Sequence, residues 1–165
     1  MKDIAAITSV VPHRHPALLV DRIAEIEPGR RLVAYKAVTL AEPAYRDVPE
    51  DAANEEYDYP LGQLLESWAQ CAVLLSCWER PNANVLDGQV VLLARTRDVR
   101  VLGPVRPGSV VVHEVTMVRA LGDSFITSGR STVDGHPVLE VGQLTLALRP
   151  AELLRAPGST TDGRS

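Results

Sequence analysis

Residues 61–78 read LGQLLESWAQCAVLLSCW. Apolar side chains occupy most of the circumference of a helix drawn through this run, which predicts a helix wrapped by protein rather than one lying on a surface. Pro60 and Gly62 mark its start and Arg80-Pro81 its end, because proline cannot continue a helix interior. The run holds one carboxylate, Glu66, with the amide of Gln70 one turn further on and on the same face. A charged side chain is seldom fully buried unless it is paired, so Glu66 is the residue that needs a reason.

Beyond the helix the pattern changes to strands. QVVLLARTRDVRV (89–101), SVVVHEVTMVRA (109–120), SFITSGRSTV (124–133) and PVLEVGQLTLAL (137–148) all read as extended segments. Asp134-Gly135, between the last two, is the preferred dipeptide of a tight hairpin. Leu144, Leu146 and Leu148 alternate with Gln143, Thr145 and Arg149, as a half-buried antiparallel strand requires. Ahead of the helix, RLVAYKAVTL (31–40) suits a pleated surface after a turn at Glu27-Pro28-Gly29-Arg30, and residues 41–60 form an acidic, proline-containing loop. One apolar helix among antiparallel strands needs a sheet that curls around it, an α+β fold. Residues 1–150 fit one domain, and the Pro/Gly/Ser/Thr-rich segment 151–165 reads as a flexible tail.

Composition narrows the function classes. A net charge of -4 over 165 residues, with no basic tract, argues against a nucleic-acid partner. The pair Cys71 and Cys77 sits in the helix at a spacing that points the thiols in different directions. They read as core thiols of a reducing cytosol, not as a disulfide or a metal pair. No apolar run reaches spanning length and the N-terminus lacks a secretory apolar region, so a soluble cytoplasmic protein without metal, cofactor or membrane contact is expected.

Four stretches carry a family resemblance. PHRHPALLVDRIAEIEPGRRLVAYKAVT (12–39), LLESWAQ (64–70), VRPGS (105–109) and VDGHPVLEVGQLTLAL (133–148) resemble, in order, segments of the FabZ-type 3-hydroxyacyl-[acyl-carrier-protein] dehydratases. The similarity spans roughly residues 10–149 and implies a hotdog fold, a long antiparallel sheet around one helix, dimerising edge to edge. It also implies the chemistry. A histidine from an HFPG-like loop removes the α-proton of a 3-hydroxyacyl thioester. A carboxyl group from the helix of the opposite subunit helps the 3-hydroxyl leave, and backbone N–H groups near the helix start polarise the thioester carbonyl.

Here the chain departs from that pattern. The carboxylate stands at Glu66 and its amide neighbour at Gln70, but the loop AYRDVPEDAANEEYDYP (44–60) contains no histidine. Counting back from Glu66 puts Ala52 at the expected place, and counting forward from Glu42-Pro43 puts Val48 there; neither accepts a proton. Of the four histidines, His13 and His15 are read as structural, His113 as a core or interface residue, and His136 as part of a hairpin tip.

The resulting site has Glu66 as acid, supported by Gln70, with Asp58 as a weaker candidate for the missing base. Leu61, Gly62, Tyr57 and Tyr59, around the helix start, are the substrate-binding candidates. Arg95, Arg97, Arg100 and Arg106 gather near one strand and turn, either as a solvated edge or as a landing patch for an acyl carrier protein and its phosphopantetheine-linked acyl chain.

Three functions follow. The first is a dehydratase subunit of fatty-acid or polyketide assembly that supplies Glu66 to a site shared across a homodimer or, more pointedly, a heterodimer with a histidine-bearing relative. The second is a hotdog acyl thioesterase, which needs a helix carboxylate but no such histidine. The third is a non-catalytic module that grips an acyl chain or its carrier.

Overall fold

The computed structural model describes residues 1–80 and 88–154 of the chain. A short helix α1 (Ile4–Val10) precedes strands β1 (Arg22–Glu27) and β2 (Arg31–Ala37). The long helix α2 (Leu61–Cys77) follows, then β3 (Gln89–Val101), β4 (Val110–Leu121), β5 (Ser124–Val133) and β6 (His136–Pro150). The six strands form one antiparallel sheet in the order β1-β2-β4-β5-β6-β3. With α2 packed against it, this is the α+β hotdog arrangement that the sequence predicts.

The alternation in the sequence becomes the two faces of the sheet. Leu32 and Ala34 of β2, Val111 and Val115 of β4, and Leu139, Val141, Leu144 and Leu146 of β6 are buried towards α2. From the helix, Leu64, Trp68, Cys71, Ala72, Leu74 and Leu75 fill the same core. Burial of this kind is the main stabilising term, about 1.5–3 kcal/mol for each large aliphatic side chain.

Two glycines have clear geometric causes. The β5–β6 hairpin turns on Asp134 (φ 50°) and Gly135 (φ 80°), the left-handed pair that a two-residue turn demands. At Gly129 a side chain would strike the Glu114 carbonyl and the Trp68 ring. That space is what lets the fully buried Trp68 donate its indole N–H to the Glu114 carbonyl at 3.2 Å.

Three features depart from the sequence reading. The N-terminal helix α1 was not expected: it is 7 residues long, too short to declare a period, and is held by burial of Ile7 and Val10. The main helix is not covered on every side, since Leu61 is 45% exposed and the Glu66 side chain 48% exposed. Segment 151–165 does not begin as free chain. Ala151–Leu154 form a 3-10 turn, Ala151 is buried, and its N–H donates to the Gly88 carbonyl at 2.9 Å. Residues 155–165, the rest of the expected tail, lie outside the described part.

Among the described residues no helix is long and apolar enough to cross a membrane. Cys71 and Cys77 are both free and buried, and burial pushes the Cys77 thiol up to about 11 and the Cys71 thiol higher still.

Candidate active site

Glu66 stands in the second turn of α2, and its surroundings are built by the loop that leads into β1. Gln70, 1% exposed, uses its whole amide there. Its Oε1 accepts the Leu19 N–H at 2.9 Å, which fixes the amide orientation. Its Nε2 donates to the Ala17 carbonyl at 2.8 Å and to Glu66 Oε1 at 2.9 Å. One helix turn earlier, Ser67 Oγ donates to the Leu19 carbonyl at 3.1 Å. Residues 17–19 are therefore clamped to α2 through their main-chain atoms.

The same loop is shaped from its other end by Arg14. Its guanidinium donates to the carbonyls of Thr8, Val11 and His13 at 3.0, 2.9 and 2.7 Å. Two of these lie at the C-terminal end of α1, where carbonyls lack helical partners. Between the Arg14 cap and the Gln70 clamp, His13 is brought over the helix. Its Nε2 lies 3.5 Å from Glu66 Oε1. Sequence reasoning assigned His13 to structure. The long stretch of chain that separates it from Glu66 carries no signal of the approach, which arises from the loop's path.

Beneath Glu66 runs a buried polar chain. Ser67 Oγ is 2.9 Å from His113 Nε2, and His113 Nδ1 is 2.8 Å from Ser131 Oγ. Because Ser67 spends its proton on Leu19, it accepts from an Nε2–H, and Ser131 donates to Nδ1. His113 is completely buried; that burial, with the nearby Lys36 ammonium, pushes it down to about 3. It is a neutral core histidine, tying α2 to β4 and β5.

The loop that replaces the HFPG-like segment is anchored by a second buried group. Lys36 Nζ and Glu42 Oε1 pair at 2.8 Å with side chains 7% and 12% exposed. Glu42 also accepts the Tyr59 hydroxyl at 2.8 Å and the Thr39 N–H at 3.1 Å. Tyr45 packs on Tyr57 and Tyr59 with ring centroids 6.3 and 6.4 Å away. Burial, reinforced by Glu42, raises both the Tyr45 and Tyr59 hydroxyls, Tyr45 to about 12. The Tyr59 hydroxyl is thus spent inside the loop, and its ring forms part of a wall.

That wall belongs to a recess of about 230 Å³ at the start of α2, lined by Asp58, Tyr59, Leu61, Leu64, Val101 and Val105. Three sequence candidates, Asp58, Tyr59 and Leu61, therefore meet in one place. Asp58 Oδ1 accepts Arg106 Nε at 2.6 Å, so the weaker base candidate and one member of the arginine patch are partners.

The four arginines divide accordingly. Arg95, Arg97 and Arg100 stand on β3 opposite Thr145, Gln143 and Glu140 of β6, and Arg100 approaches Glu140 at 3.6 Å. Arg95 and Arg97 are exposed, with no ion pair among the described residues.

A larger recess of about 590 Å³ does not include Glu66. Glu114, Arg130, Glu140 and Arg100 lie side by side across it on four adjacent strands, with alternating charges that offset one another.

Similarity to known proteins bears on the fold and the family. No family model matches the chain. It is 36% identical over 157 residues to the 3-hydroxyacyl-[acyl-carrier-protein] dehydratase FabZ of Bacillus subtilis (strain 168), covering 90% of this chain and 99% of that one. It is 32% identical over 143 residues to the FabZ of a Nitratiruptor species, covering 85% and 93%. Among solved structures, a chain of the dehydratase heterocomplex ApeI:P from Xenorhabdus doucetiae superposes with TM-score 0.71 at 16% identity, covering 91% of this chain and 97% of that chain. A hot-dog-like protein from Thermanaerovibrio acidaminovorans gives TM-score 0.58 at 22% identity, covering 78% and 87%. The structural likenesses speak for the fold; the sequence likenesses span almost the whole of both chains, and on them the chain belongs to the FabZ family of 3-hydroxyacyl-[acyl-carrier-protein] dehydratases.

Proposed function

We propose that the protein is a 3-hydroxyacyl-[acyl-carrier-protein] dehydratase subunit that contributes Glu66 to a site completed by a second hotdog chain. The observation that carries this reading is the state of the Glu66 carboxylate. It is half exposed, one oxygen is held by Gln70, and among the described residues no partner engages the other. A carboxyl group so placed serves as a general acid towards a hydroxyl group in the space beyond the helix.

The step balances with a base on the partner. The base takes the proton from C2 of the 3-hydroxyacyl thioester, the electron pair forms the C2–C3 double bond, and the C3–O bond breaks. Glu66 gives its proton to the departing hydroxide, which leaves as water. The second chain is needed because residues 44–60 hold no histidine and Asp58 is engaged by Arg106.

The edge of the sheet supports pairing. Strand β3 is 13 residues long, has β6 as its neighbour in the sheet, and exposes Leu92 and Leu93. A long open edge of this kind is a template for another strand. A heterodimer with a histidine-bearing relative gives one complete acid/base pair; a homodimer gives two incomplete ones. The carrier protein, acidic in this reading, meets Arg95 and Arg97, and its tethered chain enters past Leu61, Gly62 and the Tyr57–Tyr59 wall. The reducing cytoplasm suits the free thiols in the core.

The test is reconstitution. The chain alone is expected to leave a 3-hydroxyacyl-carrier thioester unchanged, and a mixture with a relative carrying an intact HFPG-like loop is expected to remove one water, read by mass spectrometry. Glu66→Gln in the mixture abolishes that loss. Retained dehydration with Glu66→Gln overturns the proposal. Hydrolysis of acyl thioesters by the chain alone, lost in Glu66→Ala, favours the thioesterase reading instead.

A further inference from the structure

We infer that His13 is a positioning residue for Glu66: with Gln70 it holds Oε1, so that proton transfer to the substrate runs through Oε2. This rests on the dehydratase reading above and names a residue that it does not use.

Three observations converge on it. First, both approaches to the carboxylate fall on one oxygen, Gln70 Nε2 at 2.9 Å and His13 Nε2 at 3.5 Å. A carboxyl group gripped at a single oxygen presents the other in a fixed direction, which is what a positioned general acid requires.

Second, the ring nitrogens of His13 are unequal. Its Nδ1 is buried without a hydrogen-bond partner, whereas Nε2 faces the carboxylate. Nδ1 lacks a partner in either tautomer, so the choice falls to Nε2: left bare, its lone pair would face a carboxylate oxygen, whereas an N–H there points a donor at it. The tautomer with its proton on Nε2 is therefore the favoured one, and that N–H is directed at Glu66 Oε1 across 3.5 Å. Nδ1 keeps a bare lone pair.

Third, the ring is braced. It forms one wall of an apolar slot of about 50 Å³ with Val10, Pro12, Val73, Val90 and Val91. Its main chain is pinned where its carbonyl accepts Arg14 at 2.7 Å. The ring thus borders aliphatic groups and follows a main chain that Arg14 holds in place.

The experiment has an arm that needs no turnover. Nitrogen-15 spectra of the His13 ring in the full chain are expected to show the Nε2–H tautomer, and Glu66→Ala is expected to shift its resonances while those of His136 stay in place. An Nδ1–H tautomer, or resonances indifferent to Glu66→Ala, overturns the inference.

The second arm uses the reconstituted mixture. His13→Ala is expected to lower kcat about tenfold with KM within about twofold, the pattern of an interaction that acts on the transition state. His13→Gln, whose side-chain N–H extends to the place of Nε2, restores kcat to within about threefold of the unsubstituted chain; His13→Asn is too short and stays with alanine. Equal kcat for alanine and the unsubstituted chain, or equal loss for alanine and glutamine, overturns it. If the unsubstituted mixture dehydrates nothing, the dehydratase reading fails, and the spectroscopic arm still decides whether His13 holds Glu66.

Discussion

Replacing Gln70 with leucine tests whether the site rests on the clamp described above. Leucine is close to glutamine in size, so the change opens little cavity and removes mainly polar contacts. Two main-chain groups lose their partners, the Leu19 N–H, bonded at 2.9 Å, and the Ala17 carbonyl, bonded at 2.8 Å. Both bonds are part-buried, so each stranded group costs near the lower end of the range for unsatisfied buried groups, about 1–1.5 kcal/mol. The sum is about 2–3 kcal/mol, a substantial part of the roughly 5–15 kcal/mol that holds a typical domain together.

At about 2–4 °C for each kcal/mol, Tm falls by about 4–12 °C. Urea unfolding is the assay: the midpoint shifts while the slope with denaturant is unchanged, because the folded surface is the same. Gln70→Glu gives an internal control. It keeps an acceptor for Leu19 but turns a carboxylate towards the Ala17 carbonyl and Glu66. It is therefore less stable than Gln70→Leu at neutral pH, and recovers as acid returns a proton to the side chain. A Gln70→Leu protein within about 0.5 kcal/mol of the parent refutes the clamp.

The other predictions concern buried ionisable side chains. Lys36→Met leaves Glu42 buried with the Tyr59 and Thr39 bonds alone, and is expected to cost about 3 kcal/mol in urea unfolding; a loss under about 1 kcal/mol argues against the pair as the loop anchor. His113, held down to about 3 in the fold, is neutral there but protonates in the unfolded chain near 6.5. Its contribution is complete above that value and is lost at roughly 1.4 kcal/mol per pH unit as acid is added towards 3. His113→Gln is expected to flatten the stability–pH curve between those limits, and an unchanged slope refutes the assignment.

Much of this fold could be read from residue order because its signals are local. Pro60 stands as the N-cap of α2, Asp134-Gly135 sets the β5–β6 hairpin, and the Leu144–Leu148 alternation gives the buried face of β6, while Pro81, expected to mark the helix end, lies outside the described residues. The site was legible in part for the same reason: Glu66 and Gln70 are neighbours on one helix turn. What could not be read is what the chain's path brings together from afar. His13 reaches Glu66, Asp58 reaches Arg106, and His113 reaches Ser67 across separations with no periodicity to betray them. α1 was missed for a different cause, since 7 residues fix too few turns for a helical period to emerge against background.

The Gln70 clamp grips main-chain atoms of residues 17 and 19 and no side chain of theirs. Substitution at either position therefore leaves the donors and acceptors in place, proline at 19 excepted, since it lacks the N–H. A deletion or insertion between Arg14 and Leu19 has the opposite effect: it slides the wrong peptide units under the amide and carries His13 off the helix. This corner of the protein is free to drift in spelling but not in length.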